Sequence, residues 1–166
     1  MIVVSDSTPL ISLMKVSQLG ILQKLFGEVL IPEAVFSELT SNDAYPEEAA
    51  LIENSAFVKV VKVSDDKAVS LLQRATGLDR GESEAIVYAD DNHADLVLMD
   101  EVQGRNVAKG MGLRIMGTVG ILINAFREGF LQKTDVVQAL NLMKETGRHI
   151  SDRLIQDALD ILNNEA

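Results

Sequence analysis

Four carboxylates fall where an α/β sheet would gather them: Asp6, Glu38, Glu82 and Asp100. Asp6 closes the apolar run Ile2-Val3-Val4-Ser5, and Asp100 closes Leu96-Val97-Leu98-Met99. Ligands of open parallel sheets bind outside the carboxyl ends of the strands, where the topology reverses. Two acids at such ends, with two more on neighbouring helices, suit a pocket for a hard divalent cation. Mg²⁺ and Mn²⁺ prefer oxygen ligands. The chain has no cysteine, which removes thiolate metal sites, disulfides and thiol nucleophiles. His93 and His149 belong to no recognisable metal motif and read as surface residues.

Each acid also has a plainer reading. Asp6, in Ser5-Asp6-Ser7-Thr8-Pro9, could serve only the positive end of a helix. Glu38 lies one turn beyond Ala34 and Val35, near an apolar face, where a carboxylate is costly unless paired or metal-bound. Glu82 and Glu84 both open a helix after Arg80-Gly81. Glu82 shares a face with Ala85, Ile86 and Ala89, while Glu84 shares a wetter one with Val87, Tyr88 and Asp91. Asp100 comes first after its strand, and Glu101 is its alternate. Ser7 and Thr8 could hold a ligand or phosphate, although Thr8 also suits helix capping.

The elements that must position these groups alternate between strand and helix. Strands are expected at Ile2–Ser5, 29–31, Phe57–Val63, Leu96–Met99 and Arg114–Met116. Thr8 as N-cap with Pro9 at the first helical position opens one helix, and Ser17–Phe26 forms another that stops at Gly27. Further helices are expected from Pro32, over Pro46–Asn54, Asp65–Gln73, Gly81–Asp91, Val102–Met111 and Thr118–Glu128, with loops at Ser41–Tyr45 and Thr76–Arg80. This alternation predicts an α/β fold with a mostly parallel sheet covered on both faces. Thr134–Lys144 and Ser151–Leu162 add two amphipathic helices, with Leu154, Ile155, Ala158, Leu159 and Leu162 on one stripe. That stripe packs on its own domain or meets a partner. The expected organisation is a domain over 1–130 and a helical extension over 131–166 packed on it.

At 166 residues, 47% apolar and 24% charged, the composition is that of one compact domain. No stretch approaches the roughly 20 apolar residues of a membrane span, and the start lacks the basic region of a signal peptide. The cytoplasm is the expected location. A net charge of −10 argues against a broad basic surface for nucleic acid, so any contact with phosphate must be local. Gly110-Met111-Gly112 follows a helix and does not fit a dinucleotide fingerprint, and there is no Gly-x-Ser-x-Gly elbow.

Four segments resemble the motifs of the PIN-domain family of metal-dependent ribonucleases, which includes the VapC-type toxins of toxin–antitoxin pairs. They are Val4-Ser5-Asp6-Ser7-Thr8-Pro9, Ile31-Pro32-Glu33-Ala34-Val35-Phe36-Ser37-Glu38-Leu39, Leu78-Asp79-Arg80-Gly81-Glu82-Ser83-Glu84-Ala85-Ile86 and Ala94-Asp95-Leu96-Val97-Leu98-Met99-Asp100. The third is similar to a variant in a poorly characterised branch, whose pattern continues through Arg105, Gly112, Gly117 and Thr118. Many members carry Asp where this chain has Glu82, which leaves Glu84 as the other choice. The resemblance implies a three-layer α/β/α sandwich that binds Mg²⁺ or Mn²⁺ and hydrolyses RNA. Asp6 and Asp100 would be direct ligands, and Glu38 and Glu82 would bind metal or orient water. It also implies an antitoxin partner; a homodimer or higher homo-oligomer is expected. Asp95-Leu96-Val97-Leu98-Met99-Asp100 resembles a phospho-receiver strand as well, and a binding module without catalysis is a third reading.

Overall fold

The computed structural model of the protein describes residues 1–147 and 150–165, so the expectation for His149 falls outside the described residues. Five strands form one parallel sheet: β1 (Val3–Ser5), β2 (Val29–Pro32), β3 (Val58–Val61), β4 (Leu96–Leu98) and β5 (Ile115–Met116). Their order is β3-β2-β1-β4-β5. The chain moves outward one way from β1, then crosses to β4 on the other side. The switch point therefore lies between β1 and β4, above Asp6 and Asp100. A phospho-receiver sheet runs 2-1-3-4-5, so the receiver expectation fails on topology.

Residue alternation along the strands divides the core into two layers. Val3, Val29, Ile31, Leu96 and Leu98 face one side, and Val4, Val97 and Met99 face the other. The first layer is completed by α1 (Ser7–Lys15), α2 (Ile21–Phe26), α3 (Glu33–Thr40) and α8 (Thr118–Arg127), together with α9 (Lys133–Glu145) and α10 (Asp152–Glu165). The second is covered by α6 (Arg80–Asp91) and α7 (Val102–Gly110), with Leu72 of α5 (Asp66–Thr76) packed against it. A last helix, α4 (Pro46–Asn54), precedes β3 and buries Ile52. Strands buried on both faces read as continuous apolar runs, which is why β1, β2 and β4 carry no polar alternation. From the tail helices, Val136, Leu140, Ala158 and Leu162 join the first layer.

Several boundaries differ from the sequence expectation. Helix α1 starts at Ser7, with Asp6 rather than Thr8 at the N-cap. The Asp6 backbone N–H is held by the Leu98 carbonyl at 3.0 Å, and its extended conformation opens the helix at the next residue. Pro9 then stands third in the helix, where its missing N–H is still not needed. The helix expected over Ser17–Phe26 begins only at Ile21. Ser17 adopts a left-handed φ of 57°, and Gln18 N–H donates to the Leu13 carbonyl at 2.8 Å, closing α1 first. Helix α5 runs on to Thr76 and ends at Gly77, whose φ of 76° suits a residue without Cβ. Strand β3 is shorter than expected, and Val60 on it is exposed.

Candidate functional site

The carboxyl end of β1 delivers Asp6 into the interior, where it is only 2% exposed. Its side chain makes no capping bond to α1. Burial pushes its carboxyl up to about 8, against the lowering effect of the Ser7 backbone N–H, and the charges of Glu82, Asp79 and Glu38 add to the rise. Those three acids come from α3, from α6 and from the turn before α6.

Helix α6 presents Glu82 through its own start. Asp79, at the N-cap, accepts from the Glu82 backbone N–H at 2.8 Å, and Glu82 Oε2 accepts from the Asp79 N–H at 3.1 Å. This reciprocal cap fixes the Glu82 side chain in place. Glu82 is 5% exposed, and burial raises its carboxyl to about 7. The Asp79 N–H opposes that rise; the Asp79 charge and the neighbouring Glu101 carboxyl add to it. Sequence reading passed over Asp79, although Asp79-Arg80-Gly81-Glu82 has the spacing of a capping box.

Glu84 does not lie on a wet face. It is 6% exposed, because α6 is packed by α3 and α5 as well as by the sheet. Its carboxylate takes the Arg80 Nε–H at 3.2 Å, so its charge is matched locally. Glu38, by contrast, is exposed rather than set against the apolar face. Its Oε2 stands 3.5 Å from the point a Gly81 Cβ would occupy, which puts it beside the start of α6; the tightest neighbour of that point is Val35 Cγ2, at 3.3 Å.

Asp100 and Glu101 divide the work at the end of β4. Asp100 is half-buried, and both its oxygens are engaged by one residue: Oδ1 by the Thr118 N–H at 2.7 Å and Oδ2 by the Thr118 hydroxyl at 2.6 Å. It thus caps α8 rather than the helix that follows it, and each oxygen keeps a lone pair. Glu101 occupies the N-cap position of α7 without bonding to it. Its side chain lies beside Glu82 instead. Ser7 is buried at the first position of α1, Thr8 is half-buried at the second, and His93 is exposed.

Among the described residues no three His, Asp or Glu side chains already surround one point as a bound ion would require. The donor chemistry nevertheless fits a hard cation. Asp6 and Glu82 are buried, crowded by other acids and held above the usual carboxylate range, a condition a divalent charge reverses. A small cavity of about 170 Å³ adjoins the site at Glu38, and a larger groove of about 450 Å³ runs along α9, away from the acids. Among the described residues no helix is long and apolar enough to cross a membrane.

A family model described as a PIN domain matches residues 2–164. PIN domains are generally nucleases and typically use divalent metals. No curated protein matches the chain. With the parallel sheet, its switch point and the acids gathered there, that match over nearly the whole sequence places the chain in the PIN-domain family.

Proposed function

We propose that the protein is a Mg²⁺- or Mn²⁺-dependent endoribonuclease that hydrolyses RNA phosphodiester bonds. The observation that carries this reading is Asp6: a carboxyl at the switch point, raised to about 8 mainly by burial and further by the charges of Glu82, Asp79 and Glu38. A cation bound there supplies Lewis-acid activation of water and offsets charge on the phosphate. Asp6 and Glu82 are the inner ligands of the proposal. Glu82 is preferred over Glu84, whose charge Arg80 already matches. Glu38, at the exposed mouth, orients the incoming water. Asp100 contributes from the β4 side through its remaining lone pairs, its plane fixed by Thr118. Glu101, beside Glu82, is the alternate ligand on that side. An antitoxin partner extends this reading from the family resemblance; self-association and a cytoplasmic location are further parts of the proposal.

Purified protein incubated with single-stranded RNA tests the proposal. Internal cleavage should require Mg²⁺ or Mn²⁺, stop with chelator, and fall at least about 100-fold in Asp6→Asn and Glu82→Gln. Cleavage indifferent to chelator, or undiminished in both variants, overturns it.

A further inference from the structure

The crevice is acidic, so an RNA phosphate that enters it needs a local cation on the protein as well as any bound metal. Most candidate cations near the acids are already committed. Lys15 pairs with Glu48 at 3.2 Å, and Arg80 is shared between Asp66 and Glu84. Arg105 differs. It projects from α7 to the end of β4 and donates from Nη1 to the Met99 carbonyl at 3.0 Å. That partner is neutral, and among the described residues Arg105 pairs with no carboxylate. Its positive charge is therefore fixed in place without a direct ion pair, with the Asp100 carboxylate as a near neighbour.

The space around it is specific. A Cβ on Gly117 would lie 2.8 Å from Arg105 Nη1 and 2.9 Å from Asp100 Oδ1. Gly117 has a φ of −92°, which any residue adopts, so its backbone conformation does not call for glycine. What a side chain there would disturb is the close approach of the Arg105 and Asp100 tips. The guanidinium, half-buried and anchored by one N–H, keeps further N–H groups in a planar fork that matches a phosphate.

We propose that Arg105 binds a backbone phosphate of the RNA next to the acid crevice, on the β4–β5 side of the switch point. This assignment rests on the nuclease reading of that crevice. It makes Arg105 a substrate-binding residue that reads charge and not base identity, since phosphate contacts position the strand without specifying sequence.

The test is binding of a short fluorescent single-stranded RNA, followed by anisotropy across a salt series, with Ca²⁺ replacing Mg²⁺. Arg105→Gln removes the charge and, being shorter, also gives up the Met99 carbonyl, so it is read beside Arg105→Lys. It should weaken binding about tenfold and reduce the slope of log affinity against log salt by about one. Arg105→Lys, which retains the charge, should keep the parent slope. Parent-like affinity and slope in Arg105→Gln overturn the assignment, whatever happens to the melting temperature. A slope lost equally in Arg105→Lys also overturns it, because charge would not be the cause. A parent protein that binds no RNA overturns both this assignment and the nuclease reading. A parent that binds RNA but does not cleave it in Mg²⁺ removes the nuclease reading and the crevice role with it, while a salt slope that still depends on Arg105 would mark a phosphate contact of a different kind.

Discussion

Asp6 makes the acid crevice a source of pH-dependent stability. An unfolded aspartate titrates near 3.8, and in the folded chain the Asp6 carboxyl is raised to about 8. Between those values the folded protein holds a proton that the unfolded chain has lost, so stability must fall as pH rises through the window. Glu82, raised from 4.5 to about 7, acts in the same sense. Thermal melts of metal-free protein should therefore show a lower melting temperature at pH 8.5 than at pH 5, and Asp6→Asn should flatten that dependence. A melting temperature that does not change over this range would contradict the burial of Asp6 among acids. The position of Asp6 was legible in the sequence, because the short apolar run Ile2-Val3-Val4 has to end somewhere and the acid after Ser5 marks the end. The burial of Glu84 was not legible. Its helical face looks wet when α6 is considered alone, and only the packing of α3 and α5 against that helix reveals otherwise.

At the scale of elements, two helix starts hold the crevice in shape. The Asp79–Glu82 cap fixes the first turn of α6, and Asp79→Ala should cost about 1 kcal/mol in chemical denaturation. It should also reduce cleavage, because the Glu82 backbone N–H loses the Asp79 carboxylate that fixes the first turn of α6; unchanged stability and activity would show the cap to be idle. The Asp100–Thr118 contact does the same for α8. Both devices could be anticipated only in part. An Asp three residues before a Glu is a local signal, whereas Asp100 reaches a residue 18 positions away. Strands β1, β2 and β4 were legible as apolar runs between breakers. The join between α1 and α2 was not, since Ser17 takes a left-handed conformation that glycine or asparagine would have announced. Helix α10 packs Leu162 at 0% exposure against the first core layer. Leu162→Ala should cost about 2–5 kcal/mol, read from the denaturant midpoint, and a loss below about 1 kcal/mol would mean that α10 is not part of the core.

For the whole molecule, what the sequence withheld was the strand order. Alternating elements predict a parallel sheet but do not say which strands are neighbours. The order β3-β2-β1-β4-β5 puts the ends of β1 and β4 side by side, and Asp6 and Asp100 with them. It also separates this fold from a phospho-receiver, which the strand ending in Asp100 alone could not do. The burial that raises the Asp6 and Glu82 carboxyls is what a bound cation would offset. Millimolar Mg²⁺ or Mn²⁺ should accordingly raise the melting temperature at pH 8, and much less in Asp6→Asn, by preferential binding to the folded state. The most direct test of the central claim is the anomalous scattering of a crystal soaked in Mn²⁺. A peak bounded by Asp6, Glu82 and Glu38 is the predicted result; a crystal with no peak at that crevice, or with manganese bound only elsewhere, would contradict it.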